Sequence, residues 1–208
     1  MQIKHLNSTF PYIIIDELYD NQELSLIWEE LLFLCYPYKI KRSSSDRGGA
    51  VLDGKLLKNN NSIYLDDFYQ NREYSNILRV NRKIFKHFSE IFFNHDSWFY
   101  KNISFSLDNT QISYYEDNDN YESHQDRSMV TCLTWFYKEP KMFEGGNLFF
   151  PNYNLEIEVL NNRMIIFPSH IFHSVDMVKM DKSNQNKKYG RFCISQFLQN
   201  LMMVKTTN

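Results

Sequence analysis

Between Ser104 and Leu198 the chain divides into short runs of strand-forming residues with turn residues between them, and this limits its fold more than any other feature. Strands are expected near 104–106, 111–115, 129–137, 147–150, 155–159, 164–167, 173–178 and 191–198. Leu155-Glu-Ile-Glu-Val159 alternates strictly, so one face of that strand is buried and the other wet. Met129 to Tyr137 is apolar on both faces, as an inner strand should be. The 17 Phe and 14 Tyr point the same way, since aromatic residues favour half-buried strands over a helical bundle.

The N-terminal half reads differently. Phe10-Pro-Tyr-Ile-Ile-Ile15 has the composition of a strand. Asp20 followed by Glu23 marks a helix start, and Leu24, Ile27, Trp28, Leu31 and Leu32 continue it at helical spacing until Pro37. Lys41 to Asn61 is polar, carries Gly48-Gly49 and Gly54, and reads as a long surface loop or hairpin. A second amphipathic helix is expected from Ser75 to about Asp96, carried by Ile77, Leu78, Ile84, Phe85, Phe88, Ile91 and Phe92. Two striped helices need a surface to cover, and a sheet supplies one. The expected fold is therefore mainly β with flanking helices: a double-stranded β-helix (jelly-roll) barrel with the N-terminal helices packed on one sheet. The expected organisation is a single domain over 1–208, in which 1–100 supplies a strand, helices and substrate-side loops and 101–200 the jelly-roll core.

Bulk properties exclude several classes. A net charge of −2 without a basic block gives no reason to expect a nucleic-acid partner. Cys35, Cys132 and Cys193 are too few and scattered for a disulfide framework or a CxxC zinc site, and read as free thiols. The longest apolar run, Leu31 to Cys35, is far too short to cross a bilayer, and the N-terminus lacks the pattern of a signal peptide. A cytoplasmic protein without membrane association is expected.

The chemistry-bearing residues lie between Tyr121 and Arg191. His124 and Asp126 are two apart, so on a strand an imidazole and a carboxylate would point the same way and could grip one ion. Alone, such a pair is as well explained by a surface hydrogen bond. His173, after the apolar run ending Phe167-Pro-Ser169, supplies a third ligand; His170 competes, but lies in what reads as a turn. Two imidazoles and a carboxylate can occupy one face of an octahedral metal and leave the opposite face free. In the last strand Arg191, Cys193 and Ser195 share one face and Phe192, Ile194 and Leu198 the other, which aims Arg191 into the barrel. A guanidinium there needs an anion, and a bound dicarboxylate would satisfy it.

In this order and spacing, Ile112-Ser-Tyr-Tyr115, Tyr121-Glu-Ser-His-Gln-Asp126, Val130-Thr-Cys-Leu-Thr-Trp135, Phe143-Glu-Gly-Gly-Asn-Leu148, Asn162-Arg-Met-Ile-Ile-Phe-Pro-Ser169, His173-Ser-Val175 and Tyr189-Gly-Arg191 resemble the prolyl 4-hydroxylase-like branch of the iron(II)/2-oxoglutarate-dependent dioxygenases. The resemblance implies His124, Asp126 and His173 as iron(II) ligands and catalytic centre, and Arg191 as the partner of the distal carboxylate of 2-oxoglutarate. It places Tyr115, Thr131 and Trp135 around that co-substrate, with Trp135 where related chains often carry Tyr. The separation of His173 from Arg191 is wider than usual, and the excess, Asp181 to Lys188, reads as a polar hairpin tip.

What the resemblance implies for function is hydroxylation of an unactivated C–H, with 2-oxoglutarate oxidatively decarboxylated to succinate, O2 as the second co-substrate and ascorbate as a further candidate cofactor. The carboxylate of Asp126 favours hydroxylation, or desaturation, over halogenation, because related halogenases carry a small residue there. The implied substrate is an amino acid, a peptide or protein residue, or another small molecule. Lys41 to Asn61 and Tyr64 to Tyr69 are candidates to cover the site; their Arg47, Lys58, Asp66 and Asp67 together suit a polar or zwitterionic substrate, although each is individually read as solvated. Two alternatives stand beside this reading. One is a non-catalytic jelly-roll module binding a peptide or sugar, with incidental histidines. The other is a hydrolytic zinc site, for which no general base is apparent.

Overall fold

Two unexpected features frame the N-terminus of the structure, a computed structural model that describes residues 1–36, 39–44 and 51–200. The first is an extra strand, β1 (Gln2–Leu6), antiparallel to the expected one, β2 (Tyr12–Asp16). Helix α1 (Asn21–Leu34) then starts as its sequence requires. The Asp20 carboxylate accepts from the backbone N–H groups of Gln22 and Glu23, and the Glu23 carboxylate accepts from the Asp20 N–H. This reciprocal cap satisfies donors that a helix end would otherwise orphan. Ile27, Leu31 and Leu34 are buried, whereas Leu32 falls off the stripe and is exposed. Pro37 and Gly48-Gly49 lie outside the described residues.

The second feature corrects the sequence reading. Where it is described, the stretch expected to be a surface loop or hairpin holds one hairpin, β4 (Val51–Leu52) with β5 (Lys55–Leu56), but also three short strands that join the larger sheets: β3 (Lys41–Arg42), β6 (Lys58–Asn59) and β7 (Asn61–Tyr64). Its polar residues are not all solvated. Ser43 Oγ donates to Asn60 Oδ1 at 2.7 Å, and Ser43, Lys58 and Asn60 are all buried. Buried polar groups are tolerated where they are hydrogen-bonded, so polarity here misreports exposure.

After α2 (Leu65–Phe68), Ser75 caps α3 (Asn76–Val80) through its Oγ and the Leu78 N–H, as expected. The predicted long helix does not persist. It breaks into α3, α4 (Lys83–Lys86) and a wider π-type turn over Ser89–Phe93, followed by α5 (Trp98–Lys101). The first break has a visible cause. Gln196 Nε2 donates to the Asn81 carbonyl, Tyr19 Oη donates to Asn81 Oδ1, and the Phe85 N–H turns to Arg82 O. Tertiary hydrogen bonds thus compete with the helix for its own acceptor, while Ile77, Leu78, Ile84, Ile91 and Phe92 stay buried.

The C-terminal half is built from β8 (Leu107–Tyr115), β9 (Asn120–His124), β10 (Val130–Phe136), β11 (Phe143–Glu144) and β12 (Leu148–Phe150). It continues with β13 (Leu155–Ile157), β14 (Met164–Pro168), β15 (His173–Val175), β16 (Lys179–Met180) and β17 (Arg191–Gln199). Residues 104–106 are not a strand, and β9, β11 and β16 were not anticipated. Asp181 to Lys188 is not the tip of a β15–β17 hairpin, because β16 pairs with β11 instead.

The strands form an eight-stranded sheet, in the order β1-β2-β14-β10-β17-β8-β7-β3, and a five-stranded sheet, β13-β12-β15-β9-β6, with antiparallel pairing throughout. Strand alternation sorts side chains between two cores. Phe192, Ile194, Val130, Cys132 and Ile166 join the helical residues in one. Cys193, Leu133, Trp135, Ile165 and Phe167 join Phe150, Ile157 and Val175 of the smaller sheet in the other. This is the jelly-roll with helices on one sheet. The site lies between the two sheets.

Candidate active site

The last residue of β9 and the first of β15 are direct cross-strand partners, His124 opposite His173. Antiparallel pairing therefore brings together two imidazoles far apart in the chain, with ring centroids 4.2 Å apart. Asp126 arrives by another route than the sequence argument assumed. The strand ends at His124, and Asp126 sits in the turn beyond, its N–H donating to Ser169 O at 3.0 Å. Its carboxylate nevertheless returns to the histidines: Oδ1 lies 3.7 Å from His124 Nε2 and Oδ2 lies 3.4 Å from His173 Nε2. One ligand atom from each of the three falls within 4.8 Å of the others.

The outer nitrogens of both rings settle which nitrogen faces inward. His124 Nδ1 is 2.8 Å from Glu122 O and His173 Nδ1 is 2.9 Å from Ile171 O. A carbonyl can only accept, so each Nδ1 carries the proton, and a neutral ring then presents its Nε2 lone pair to the centre. Burial, reinforced by His173, lowers the pKa of His124 to about 3 and keeps it neutral. Burial alone would raise the Asp126 pKa, but His173, His124 and the Thr131 hydroxyl outweigh it and hold the carboxyl below its ordinary value. Two imidazoles and a carboxylate that converge on one point suit a borderline divalent cation, so the residues fit a metal of that class.

Supporting residues surround this triad. Thr131 Oγ1 donates to Asp126 Oδ2 at 2.7 Å and lies 2.8 Å from Ser169 Oγ, which ties the carboxylate to β10 and β14. Thr131 thus orients the carboxylate itself. The Tyr121 ring stacks on His124 with centroids 3.5 Å apart and an interplanar angle of 11°. His170 is exposed and takes no part through its ring, although its carbonyl accepts from Gln125 Nε2.

Arg191 opens β17 opposite Tyr115 and is 0% exposed. Its guanidinium lies 4.7 Å from the Tyr115 ring centroid and 5.8 Å from that of Trp135, and none of its three nitrogens has a hydrogen-bond partner among the described residues. A charge in that position needs an anion, and a carboxylate can meet its donors two at a time. Gly146 gives the arginine side chain room, and Gly190 lets the backbone before it pass close to Tyr115. A Cβ on Gly146 would stand 3.0 Å from Arg191 Cδ, and one on Gly190 would stand 2.1 Å from Tyr115 O. Trp135 is fully buried, its Nε1 also without a hydrogen-bond partner among the described residues.

Arg191, Tyr115 and all three triad residues line one pocket, together with Tyr64, Gln111, Ser113, Leu133, Val175, Ser195 and Lys58. Sequence reasoning assigned no role to Tyr121, Gln111 or Ser169, and counted Lys58 among loop residues suited to a polar substrate but individually solvated. Nothing in a Lys-Asn-Asn run announces that its lysine is 5% exposed. Asp66 also leaves solvent, pairing with Arg72 and accepting from the Thr110 N–H, but it lies outside the pocket. Arg47 is outside the described residues.

Comparison with known proteins gives a consistent picture. The 2OG-Fe(II) oxygenase superfamily model matches residues 110–199. Among solved structures, the chain is similar to the viral collagen prolyl hydroxylase of Paramecium bursaria Chlorella virus-1 in its 2OG complex. That likeness has 15% identity and a TM-score of 0.58, covering 91% of this chain and 96% of that one. A Pseudomonas putida prolyl-4-hydroxylase gives 11% identity over 91% of this chain and 92% of that one, with a TM-score of 0.58. A 2OG-Fe(II) oxygenase family oxidoreductase from Burkholderia pseudomallei gives 9% identity over 90% and 85%, with a TM-score of 0.59. At such identities these likenesses speak for the fold. No curated protein matches the chain in sequence.

Proposed function

We propose that this chain, whose residues 110–199 match the 2OG-Fe(II) oxygenase superfamily model, is a 2OG-dependent dioxygenase acting as a hydroxylase. Its substrate is an amino acid, free or within a peptide or protein. One observation carries the reading: three convergent metal-ligating side chains share a pocket with a buried guanidinium that has no hydrogen-bond partner among the described residues. His124, Asp126 and His173 hold iron(II), and Arg191 receives the distal carboxylate of 2-oxoglutarate. Iron, 2-oxoglutarate and O2 together supply the oxidation, yielding succinate, carbon dioxide and a hydroxylated C–H carbon.

The chain's own part is orientation and exclusion. Backbone carbonyls of Glu122 and Ile171 fix the two imidazole tautomers, and Thr131 fixes the carboxylate. Tyr115 and Trp135 flank the guanidinium and keep its surroundings dry, which strengthens its pairing with an anion. Leu133 and Val175 give the pocket apolar wall and limit access of water to the reacting centre.

The reading is tested by adding iron(II) and 2-oxoglutarate anaerobically, watching for a weak visible charge-transfer band, and then admitting air to measure succinate. Full succinate formation by His124→Ala or Asp126→Ala would remove these ligands from the mechanism. A band-free, succinate-free wild type would favour a binding module. Substrates are then screened for the mass gain of one oxygen.

A further inference from the structure

One cation in the pocket has no task in the proposed chemistry. Lys58 lies on β6, the edge strand of the smaller sheet, opposite Tyr121 of β9. This pairing directs its side chain inward, across to the larger sheet, where Nζ donates to Gln111 Oε1. The ammonium is 5.4 Å from the Tyr121 ring centroid, and that ring is stacked on His124. A neutral amide oxygen occupies one of the three ammonium donors, leaving two for another acceptor. Burial brings the Lys58 pKa down to about 8, so the group remains mostly charged at neutral pH.

Charge balance asks for an anion here. Among the described residues lining the pocket, Asp126 is the single carboxylate against Lys58 and Arg191. A ferrous ion raises the positive charge further, and a 2-oxoglutarate dianion leaves one positive charge unmatched. The two cations also address different ends of the pocket. Gln111 pairs with Ser195, whereas Tyr115 pairs with Arg191, four residues farther along β8. At strand rise the two register positions are roughly 13 Å apart. With 2-oxoglutarate held at the metal and at Arg191, both of its carboxylates are engaged, and the anion at Lys58 comes from a second molecule.

We infer that Lys58 anchors the substrate, and that the substrate carries a free carboxylate, as a free amino acid does and a mid-chain peptide residue does not. The inference rests on the oxygenase reading and narrows its substrate class. Lys58 is a binding and specificity residue, and takes no part in oxidation.

The test uses full-length protein loaded with Mn(II) and 2-oxoglutarate, with the twenty free L-amino acids, their α-carboxamides and their N-acetyl amides as probes. Binding is followed by thermal shift and calorimetry in wild type, Lys58→Met, Lys58→Gln and Lys58→Arg. At least one acid is expected to bind at least tenfold more tightly than its amide. Lys58→Met and Lys58→Gln lose that acid by tenfold or more, Lys58→Arg recovers part of the loss, and 2-oxoglutarate affinity stays within twofold. The inference is overturned if amides bind as well as acids, if no acid binds, or if the neutral variants keep the acid. It is equally overturned if those variants lose 2-oxoglutarate instead, since Lys58 would then serve the co-substrate. The iron(II)·2-oxoglutarate charge-transfer band separates the two levels of failure: its absence in wild type sinks the oxygenase reading, and its presence with a failed acid preference sinks this inference alone.

Discussion

Arg191 illustrates how function sets stability at single positions. A fully buried guanidinium without a protein partner is costly, because an unpaired charge in a low-dielectric site forfeits its hydration. Arg191→Met is therefore expected to stabilise the apoprotein by about 1–2 kcal/mol, raising Tm by roughly 2–8 °C, while weakening 2-oxoglutarate binding by at least about a hundredfold. Thermal melts and calorimetry on the same samples check both signs. Thr131→Val removes the donor that holds Asp126, and metal affinity is expected to fall about 10- to 100-fold with little change in melting. His124 adds a pH dependence. Unfolded, its imidazole takes up a proton below its ordinary value of 6.5; folded, it resists until about 3. The unfolded chain thus binds more protons across that window, and apoprotein stability declines as pH falls through it. Denaturant midpoints from pH 7 to pH 4 should slope downward in wild type and less steeply in His124→Gln.

Elements show what could be read in advance and what could not. Capping chemistry is local, so Asp20-Asn-Gln-Glu23 and Ser75 announce their helix starts without knowledge of the rest of the fold. Alternation is local too, which is why the inward face of β17 is legible from residues 191–198 alone. Persistence of the second helix is not local, because it depends on whether Gln196, more than a hundred residues away, competes for the Asn81 carbonyl. Nor could β6 be found by periodicity, since two residues carry no period and its lysine reaches its one hydrogen-bond partner, Gln111, across the barrel. Gly145 has φ +68°, and a Cβ there would approach Met177 O to 2.3 Å. Gly145→Ala should cost about 2–3 kcal/mol. Gly54, at φ +78° with nothing within 4 Å of a built Cβ, makes the control. Gly54→Ala meets the same backbone strain without the clash and should cost about 1 kcal/mol, so the difference between the two denaturation curves isolates the steric part.

At the scale of the whole molecule, the N-terminal hundred residues complete the jelly-roll as well as covering it. Strand β2 pairs with β14, Ile15 opposite Met164, and extends the same sheet that carries Arg191. Asp16 accepts from Arg163 Nε at 2.6 Å and Nη2 at 3.2 Å, while Asn162 exchanges hydrogen bonds with the Tyr19 backbone at 3.0 and 2.8 Å. Phe10 and Tyr12 enter the inner core, and Ile27, Leu31, Ile77 and Phe92 cover the outer faces of β10, β14 and β17. Without them, Val130, Cys132, Ile166, Phe192 and Ile194 would form a contiguous apolar surface far larger than a soluble monomer tolerates. We therefore expect one folding unit. The full chain should melt in a single transition with coincident near- and far-ultraviolet circular dichroism, and residues 101–200 expressed alone should aggregate or lack near-ultraviolet signal. The metal site would be lost with them, because His124 and His173 meet only if β9 and β15 are held in register by the sandwich. A 101–200 fragment that stayed monomeric and bound Mn(II) with wild-type affinity would show that the N-terminal strands and helices are a separable cover, and that the catalytic half folds by itself.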